Sequence, residues 1–86
     1  MHGKVTDEEW EIFRQAYIFF SEHCDPPANS DCHALDWWTE CHEKLLALDM
    51  EWSAKNPLMR SLLLAIEENL DFKARERTEE LSEFLP

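Results

Sequence analysis

The sequence is poor in glycine and in positive charge, and each shortage excludes a class of protein. Gly3 is the only glycine, so no glycine-rich loop is available to hold a phosphate or a dinucleotide. Eight Lys and Arg residues stand against 19 Asp and Glu residues, which gives a net charge of -11. Because binding to a nucleic-acid backbone needs clustered cations, we expect no direct contact with DNA or RNA.

Long apolar runs are also missing. The longest run, at 62–66, is far shorter than the roughly 20 residues that a membrane helix needs. The chain begins without the apolar segment of a signal peptide. Its three cysteines cannot all pair within one chain, and free thiols favour a reducing compartment. These observations predict a cytoplasmic protein that does not enter a membrane.

Apolar and aromatic residues, by contrast, are plentiful. They make up 44% and 12% of the chain, with four Trp and five Phe among them. A disordered chain lacks such content, so we expect a folded protein despite the high charge. Its 86 residues are enough for one domain, which we assign to residues 1–86 as a single acidic helical domain.

Helix signals divide the chain into three segments. Thr6 and Glu9 have the spacing of a capping box, and Pro26 ends the apolar periodicity that follows them. Asn56 before Pro57 is a strong signal for the start of another helix. We therefore predict an all-α, three-helix domain in which the second and third helices form an antiparallel hairpin. The predicted helices are approximately 7–23, 31–54 and 57–80.

Apolar spacing of three and four residues predicts which side of each helix faces the core. The predicted core positions are Trp10, Phe13, Ala16, Tyr17 and Phe20 in the first helix, Trp38, Cys41, Leu45, Leu48 and Trp52 in the second, and Leu58, Leu62, Ile66 and Leu70 in the third. Ile12 and Phe19 flank the stripe of the first helix and widen it, and Met59 and Leu63 lie beside that of the third. A weaker apolar stripe, made of Leu35, Leu46 and Met50, lies beside the main stripe of the second helix. The charged stretch 73–80 has almost nothing to bury, so we expect it to extend the third helix into solvent.

Four carboxylates of the second helix fall within about 80° of one another, on the side opposite its core positions. We call this set the acidic stripe: Asp36, Glu40, Glu43 and Glu51. Trp37 is a further candidate contact residue, because tryptophan is enriched at the centres of protein interfaces. An acidic helix face is most often simply solvated. The leading functional hypothesis is a small protein-interaction module whose stripe occupies a basic surface of a partner protein, as an inhibitor that competes with nucleic acid would.

Cysteine and histidine residues flank the loop between the first two helices. His23 and Cys24 precede the loop and Cys32 and His33 follow it, and all four are of types that bind zinc. Their spacing is not that of common zinc modules, so we favour no metal and no cofactor. A metal-responsive or redox-responsive regulator built on these four residues is the first alternative function. Cys41 lies half a turn out of phase with Cys32 and is predicted to be buried.

No catalytic motif is complete. None of the histidines at 23, 33 and 42 follows a Glu by three residues, as the di-metal motif of helical bundles requires. A domain of this size also leaves little room for a substrate cleft, so we predict no enzymatic activity. The second alternative function is a structural subunit that forms a homodimer through the wide apolar face of the first helix, together with Leu81 and Phe84.

Overall fold

Three α-helices account for most of residues 3–83, the part of the chain that the computed structural model describes. Helix α1 spans Asp7–His23, α2 spans Ala34–Trp52 and α3 spans Leu58–Glu83. Within residues 3–83 there is no strand, and no helix combines the length and apolar character needed to cross a membrane. The all-α, three-helix prediction is confirmed, although α2 is shorter than predicted and α3 ends three residues later.

Local hydrogen bonds explain where the helices begin. At α1, Glu9 N donates to Thr6 Oγ1 at 3.1 Å and Thr6 N donates to a Glu9 carboxylate oxygen at 2.9 Å, which completes the capping box. At α3, Leu58 N donates to Asn56 Oδ1 at 3.0 Å. Before α2, by contrast, His33 N donates to Asp31 Oδ1 at 2.7 Å. Because Asp31 closes a turn in this way, α2 begins only at Ala34.

Contacts between helices define an up-down-up arrangement. At the start of α1 and α3, Asn56 Nδ2 donates to a Glu8 carboxylate oxygen at 3.1 Å. At the end of α1 and past the middle of α3, Lys73 Nζ donates to the Cys24 carbonyl at 2.9 Å. These two contacts show that α1 and α3 are parallel. The ion pair between Arg60 and Asp49, at 3.0 Å, joins the start of α3 to the end of α2, as in the predicted antiparallel hairpin.

The core face of α1 differs from the prediction. Ile12, Ala16 and Phe19 are buried, whereas Trp10 is 63% exposed and Tyr17 is 70% exposed. Both sets of residues have helical spacing, so periodicity alone does not decide between them. Ala16 belongs to both sets, and the buried face is displaced from the predicted one towards Ile12 and Phe19.

The cores of α2 and α3 agree more closely with the prediction. In α2, Cys41 and Trp52 are buried, and the other predicted positions are half-buried against the core. In α3, the buried residues Met59 and Leu63 each follow a predicted core position by one residue. Leu70 and Ala74 are buried as well. Only Leu70 was among the predicted core positions of that helix.

The charged end of α3 does not extend into solvent as predicted for 73–80. Arg77 Nη1 donates to the Pro26 carbonyl at 2.7 Å, and Asn29 N donates to Thr78 Oγ1 at 2.7 Å. Ala74 is fully buried beside these contacts. The segment holds the loop between α1 and α2 against α3. The helix continues through 73–80 as predicted, and positions 75, 76, 79 and 80 are exposed, but the docking of the other positions was not predicted because the loop residues that cover them are distant in sequence.

Candidate functional site

The acidic stripe lies on the solvent side of α2, and all four of its side chains are exposed. Glu40 forms an ion pair with Lys44 at 3.3 Å. Within residues 3–83, Asp36, Glu43 and Glu51 form neither a hydrogen bond nor an ion pair through their side chains. The stripe is therefore an ordered row of carboxylates with one neighbouring cation.

Six of the other seven Lys and Arg residues are engaged away from the acidic stripe. The ion pairs are Arg14 with Glu11, Arg60 with Asp49, Arg75 with Asp71, and Arg77 with Asp25. Two lysine ammonium groups, those of Lys55 and Lys73, lie over aromatic rings instead. Among the described residues, Lys44 is therefore the one cation that pairs with the acidic stripe.

Two of these pairs change the pKa of the acid involved. The hydrogen bonds that Arg14 and Gln15 donate to the Glu11 carboxylate, with Arg14 contributing most, lower its pKa to about 2. The Arg60 guanidinium lowers the pKa of Asp49 in the same way. Both acids lie outside the acidic stripe.

Trp37 is half-buried rather than free. Its ring meets the His23 ring edge-on at 6.0 Å between centroids and the Trp38 ring edge-on at 4.9 Å. The same row of rings continues to His42, whose centroid is 5.5 Å from that of Trp38. Because other rings contact the Trp37 ring on two sides, only part of its surface is available to a partner. Trp37 therefore lies at the edge of the core.

An open groove separates α2 from α3 on the side away from α1. It contains a cavity of about 360 Å³ and a second of about 240 Å³ that shares Leu64 and Glu67 with the first. His42 Nε2 and a Glu67 carboxylate oxygen are 2.9 Å apart across it. We call this feature the α2–α3 groove. Its principal lining residues are Trp38, His42, Leu45, Leu46, Asp49, Arg60, Leu64, Glu67, Glu68 and Asp71.

The residues of α3 that form one wall of this groove were not predicted from the sequence to be part of a site. Leu64 lies outside the main apolar stripe of α3 and is more than half exposed. Glu67, Glu68 and Asp71 follow it by three, four and seven residues, which places them on the same side of the helix. The spacing indicates from the sequence alone that these residues share one side of α3. It does not indicate a site, because that requires knowing that α2 lies opposite.

The four residues proposed as metal ligands are not gathered together. His23 is buried in the core, where its Nδ1 lies 2.8 Å from the Phe19 carbonyl oxygen and its ring stacks on that of Phe19. In the described part of the chain, Cys32 and His33 instead group with Asp31, with their possible ligand atoms within 4.8 Å of one another. Cys24 is exposed and does not belong to this group.

The three thiols differ in accessibility, and this predicts their reactivity. Cys24 and Cys32 are exposed, whereas burial raises the pKa of the Cys41 thiol to about 11. Titration of the native protein with Ellman's reagent should therefore release about two equivalents of thionitrobenzoate quickly. The third equivalent should appear only after denaturation. Fast release of all three from the native protein would contradict the position of Cys41.

Aromatic side chains form another exposed surface, on α1. We call it the aromatic face of α1, and it comprises Trp10, Phe13 and Tyr17, each at least 48% exposed. Leu81, which the sequence analysis grouped with this surface, is half exposed, while Phe84 lies outside the described residues.

Comparison with protein-family models, with curated proteins and with solved structures finds no match to this chain. The chemistry of its own surface therefore carries the functional argument.

Proposed function

We propose that this chain is a small, non-enzymatic acidic module that binds a basic surface of a partner protein through the acidic stripe. In the sharpest form of the proposal it is an inhibitor that competes with nucleic acid for that surface. One observation carries the proposal: among residues 3–83, three carboxylates of the stripe have no partner, although the chain contains eight Lys and Arg residues. The two exposed thiols are compatible with action in the cytoplasm.

The geometry of the stripe suits a basic surface that normally binds a nucleic acid. The steps from Asp36 to Glu40 and from Glu40 to Glu43 rise about 6 and 4.5 Å, the same order as the charge spacing of about 3.4 Å along one DNA strand, while Glu51 lies about 12 Å further along the helix. A helix holds these charges in place before binding, so little ordering is needed on contact. Repulsion within a chain of net charge -11 is also relieved when a cationic partner binds.

Charge reversal in the stripe should abolish capture of the partner. The tagged protein and the variant Asp36→Lys/Glu40→Lys/Glu43→Lys are used as bait in a lysate of the cells that express the protein, with elution by steps of salt. Partners of the parent protein should elute at moderate salt, because exposed charges are screened over about 10 Å at 0.1 M. The variant should retain none of them. Circular dichroism checks that its helical content is unchanged.

A second variant controls for net charge. Glu22→Lys/Glu76→Lys/Glu80→Lys changes the net charge by the same amount, from -11 to -5, through exposed acids outside the stripe. It should capture the same partners as the parent protein. If both variants lost the same partners, net charge alone would explain the capture and not the acidic stripe. If the variant reversed in the stripe still captured every partner, the proposal would be refuted. A captured partner should also lose its nucleic acid when the parent protein is added, as measured by gel shift.

The aromatic face of α1 favours self-association as a second candidate function. Aromatic residues are enriched at protein interfaces, and Trp10 and Tyr17 are both more than 60% exposed. Sedimentation velocity at two concentrations about a hundredfold apart should then show an increase in mass at the higher one. The double variant Trp10→Ser/Tyr17→Ser should remain monomeric at both. A parent protein that is monomeric at both concentrations would exclude this function.

A further inference from the structure

The solvent side of α2 has two adjoining parts, one acidic and one apolar. At about 100° per residue, Leu35, Leu46 and Met50 lie between the α2–α3 groove and the acidic stripe. Each of the three is more than half exposed. On their groove side are Trp38 and His42. An apolar surface therefore runs from the acidic stripe across α2 and into the groove.

Carboxylates also border this apolar surface on its far side, on α3. Glu68 lines the groove and, within residues 3–83, its side chain forms no hydrogen bond or ion pair. Glu67 contacts His42, and Asp71 contacts Arg75 at 2.6 Å. The apolar surface thus has the acidic stripe along one edge and α3 carboxylates along the other. Arg60 also lies in the α3 wall, near the start of that helix, where Asp49 pairs with it.

Charge excludes several occupants of such a groove. Nucleic acid and an anionic membrane surface would both be repelled by its two acidic edges. A second copy of this chain is unsuitable as well, because none of the three helices has a run of cations beside an exposed apolar row. The stretch 73–77 comes nearest, yet Glu76 interrupts it, and Lys73 and Arg77 are bound to the loop between α1 and α2.

We infer that the α2–α3 groove is the docking site for a basic amphipathic helix of the partner protein. Such a helix inserts an apolar ridge into a groove and places Lys or Arg along both of its sides. The distance from Leu35 to Met50 along α2 is about 22 Å, which corresponds to roughly 15 helical residues. In the larger cavity, the Trp38 ring and the Glu68 carboxylate together suit one cationic side chain of that helix.

This inference rests on the proposed function and adds the shape of the partner to it. The acidic stripe alone would accept any basic surface, whether flat, looped or helical. The groove adds a requirement for apolar side chains at helical spacing between the cations. A peptide with the same composition in a non-amphipathic order is therefore expected to bind much less well.

Defined peptides test the inference with the full-length protein. The probe is a Leu/Lys peptide of about 15 residues, with Leu at three-residue and four-residue spacing and Lys elsewhere. One matched peptide has the same residues in scrambled order, and another has Glu in place of Lys. Fluorescence polarisation should give a dissociation constant at least about tenfold lower for the probe than for the scrambled peptide. No binding is expected for the acidic peptide.

Tryptophan resonances locate the bound peptide. The chain has four indole N–H groups, which a ¹⁵N correlation spectrum separates and which Trp→Phe variants at positions 10 and 38 help to assign. Addition of the probe should shift the Trp38 resonance and leave that of Trp10 unchanged. A shift of Trp10 alone would move the binding site to the aromatic face of α1 and overturn the inference.

Substitutions in the groove provide the matched comparison. Leu46→Ser/Leu64→Ser should raise the dissociation constant of the probe about tenfold, because both side chains lie in the apolar surface. The control, Ile18→Ser/Phe72→Ser, removes exposed apolar side chains elsewhere and should leave it within about twofold. Equal binding of the probe by the groove variant and the parent protein would reject the groove as the docking site.

If the charge-reversed variant still lost its partner in that case, the proposed function would stand without a helical partner. If neither variant lost binding, both proposals would fail.

Discussion

The substitution Ile12→Ala is expected to lower the free energy of unfolding by about 2–5 kcal/mol, whereas Trp10→Ser should change it by less than about 0.5 kcal/mol. Ile12 is fully buried in the core, so its truncation leaves a cavity among α1, α2 and α3. Trp10 is 63% exposed, and Trp and Ser have similar helix propensities. Urea denaturation followed by circular dichroism measures both effects.

Ile18 provides the control within the same helix. Its side chain is exposed, so Ile18→Ala should cost less than about 1 kcal/mol although the atoms removed are the same as at Ile12. The comparison separates burial from the loss of a β-branched residue. If Trp10→Ser proved more destabilising than Ile12→Ala, α1 would have its aromatic face turned inward, as its periodicity first predicted.

The orientation of α1 shows that sequence patterns can predict a helix without predicting which of its faces is buried. Periodicity identified the helix and the capping box located its start, because both signals are local. The helix has two apolar rows, however, and the larger residues are in the exposed one. Ala16 and His23 mark the buried row, and neither is a strong hydrophobic signal. The choice between the rows depends on what α2 and α3 present, which no local pattern contains.

The functional surface likewise has one part that the sequence predicts and another that it does not. The acidic stripe was predictable, because four carboxylates on one helix share a side whenever that helix forms. Its lack of neutralising cations was only partly predictable, since Arg60 and Arg77 find their partners across helices and loops. The α2–α3 groove was not predictable, since its walls come from two helices, with contacting residues such as His42 and Glu67 lying 25 positions apart. Pairing of α2 with α3 creates the groove.

Interactions that are distant in sequence also decide the end of α3. The stretch 73–80 has the composition of a solvated helix, and nothing within it suggests a buried position. Three of its residues nevertheless bind the loop between α1 and α2, and Pro26 and Ala28 of that loop are buried. Two prolines stiffen the loop, so it docks at a small entropic penalty. The charged side chains of α3 then act as hydrogen-bond donors to loop carbonyl groups.

Ala74→Glu is expected to lower the free energy of unfolding by more than about 2 kcal/mol. Ala74 has no exposed surface, so a carboxylate at this position must either lose its water or push the loop away from α3. The hydrogen bonds from Lys73 and Arg77 to loop carbonyl groups would weaken together with the packing. Urea denaturation measures the loss, and protease cleavage in the loop should become faster.

Ala65→Glu is the matched control, because it makes the same change at an exposed position of the same helix. Alanine and glutamate have similar helix propensities, so this variant should unfold within about 0.5 kcal/mol of the parent protein. Protease cleavage in the loop should also be unchanged. Equal stability of the two variants would mean that the end of α3 is solvated after all, with its charged side chains detached from the loop. A loss confined to Ala74→Glu establishes that the loop and the end of α3 fold as one unit.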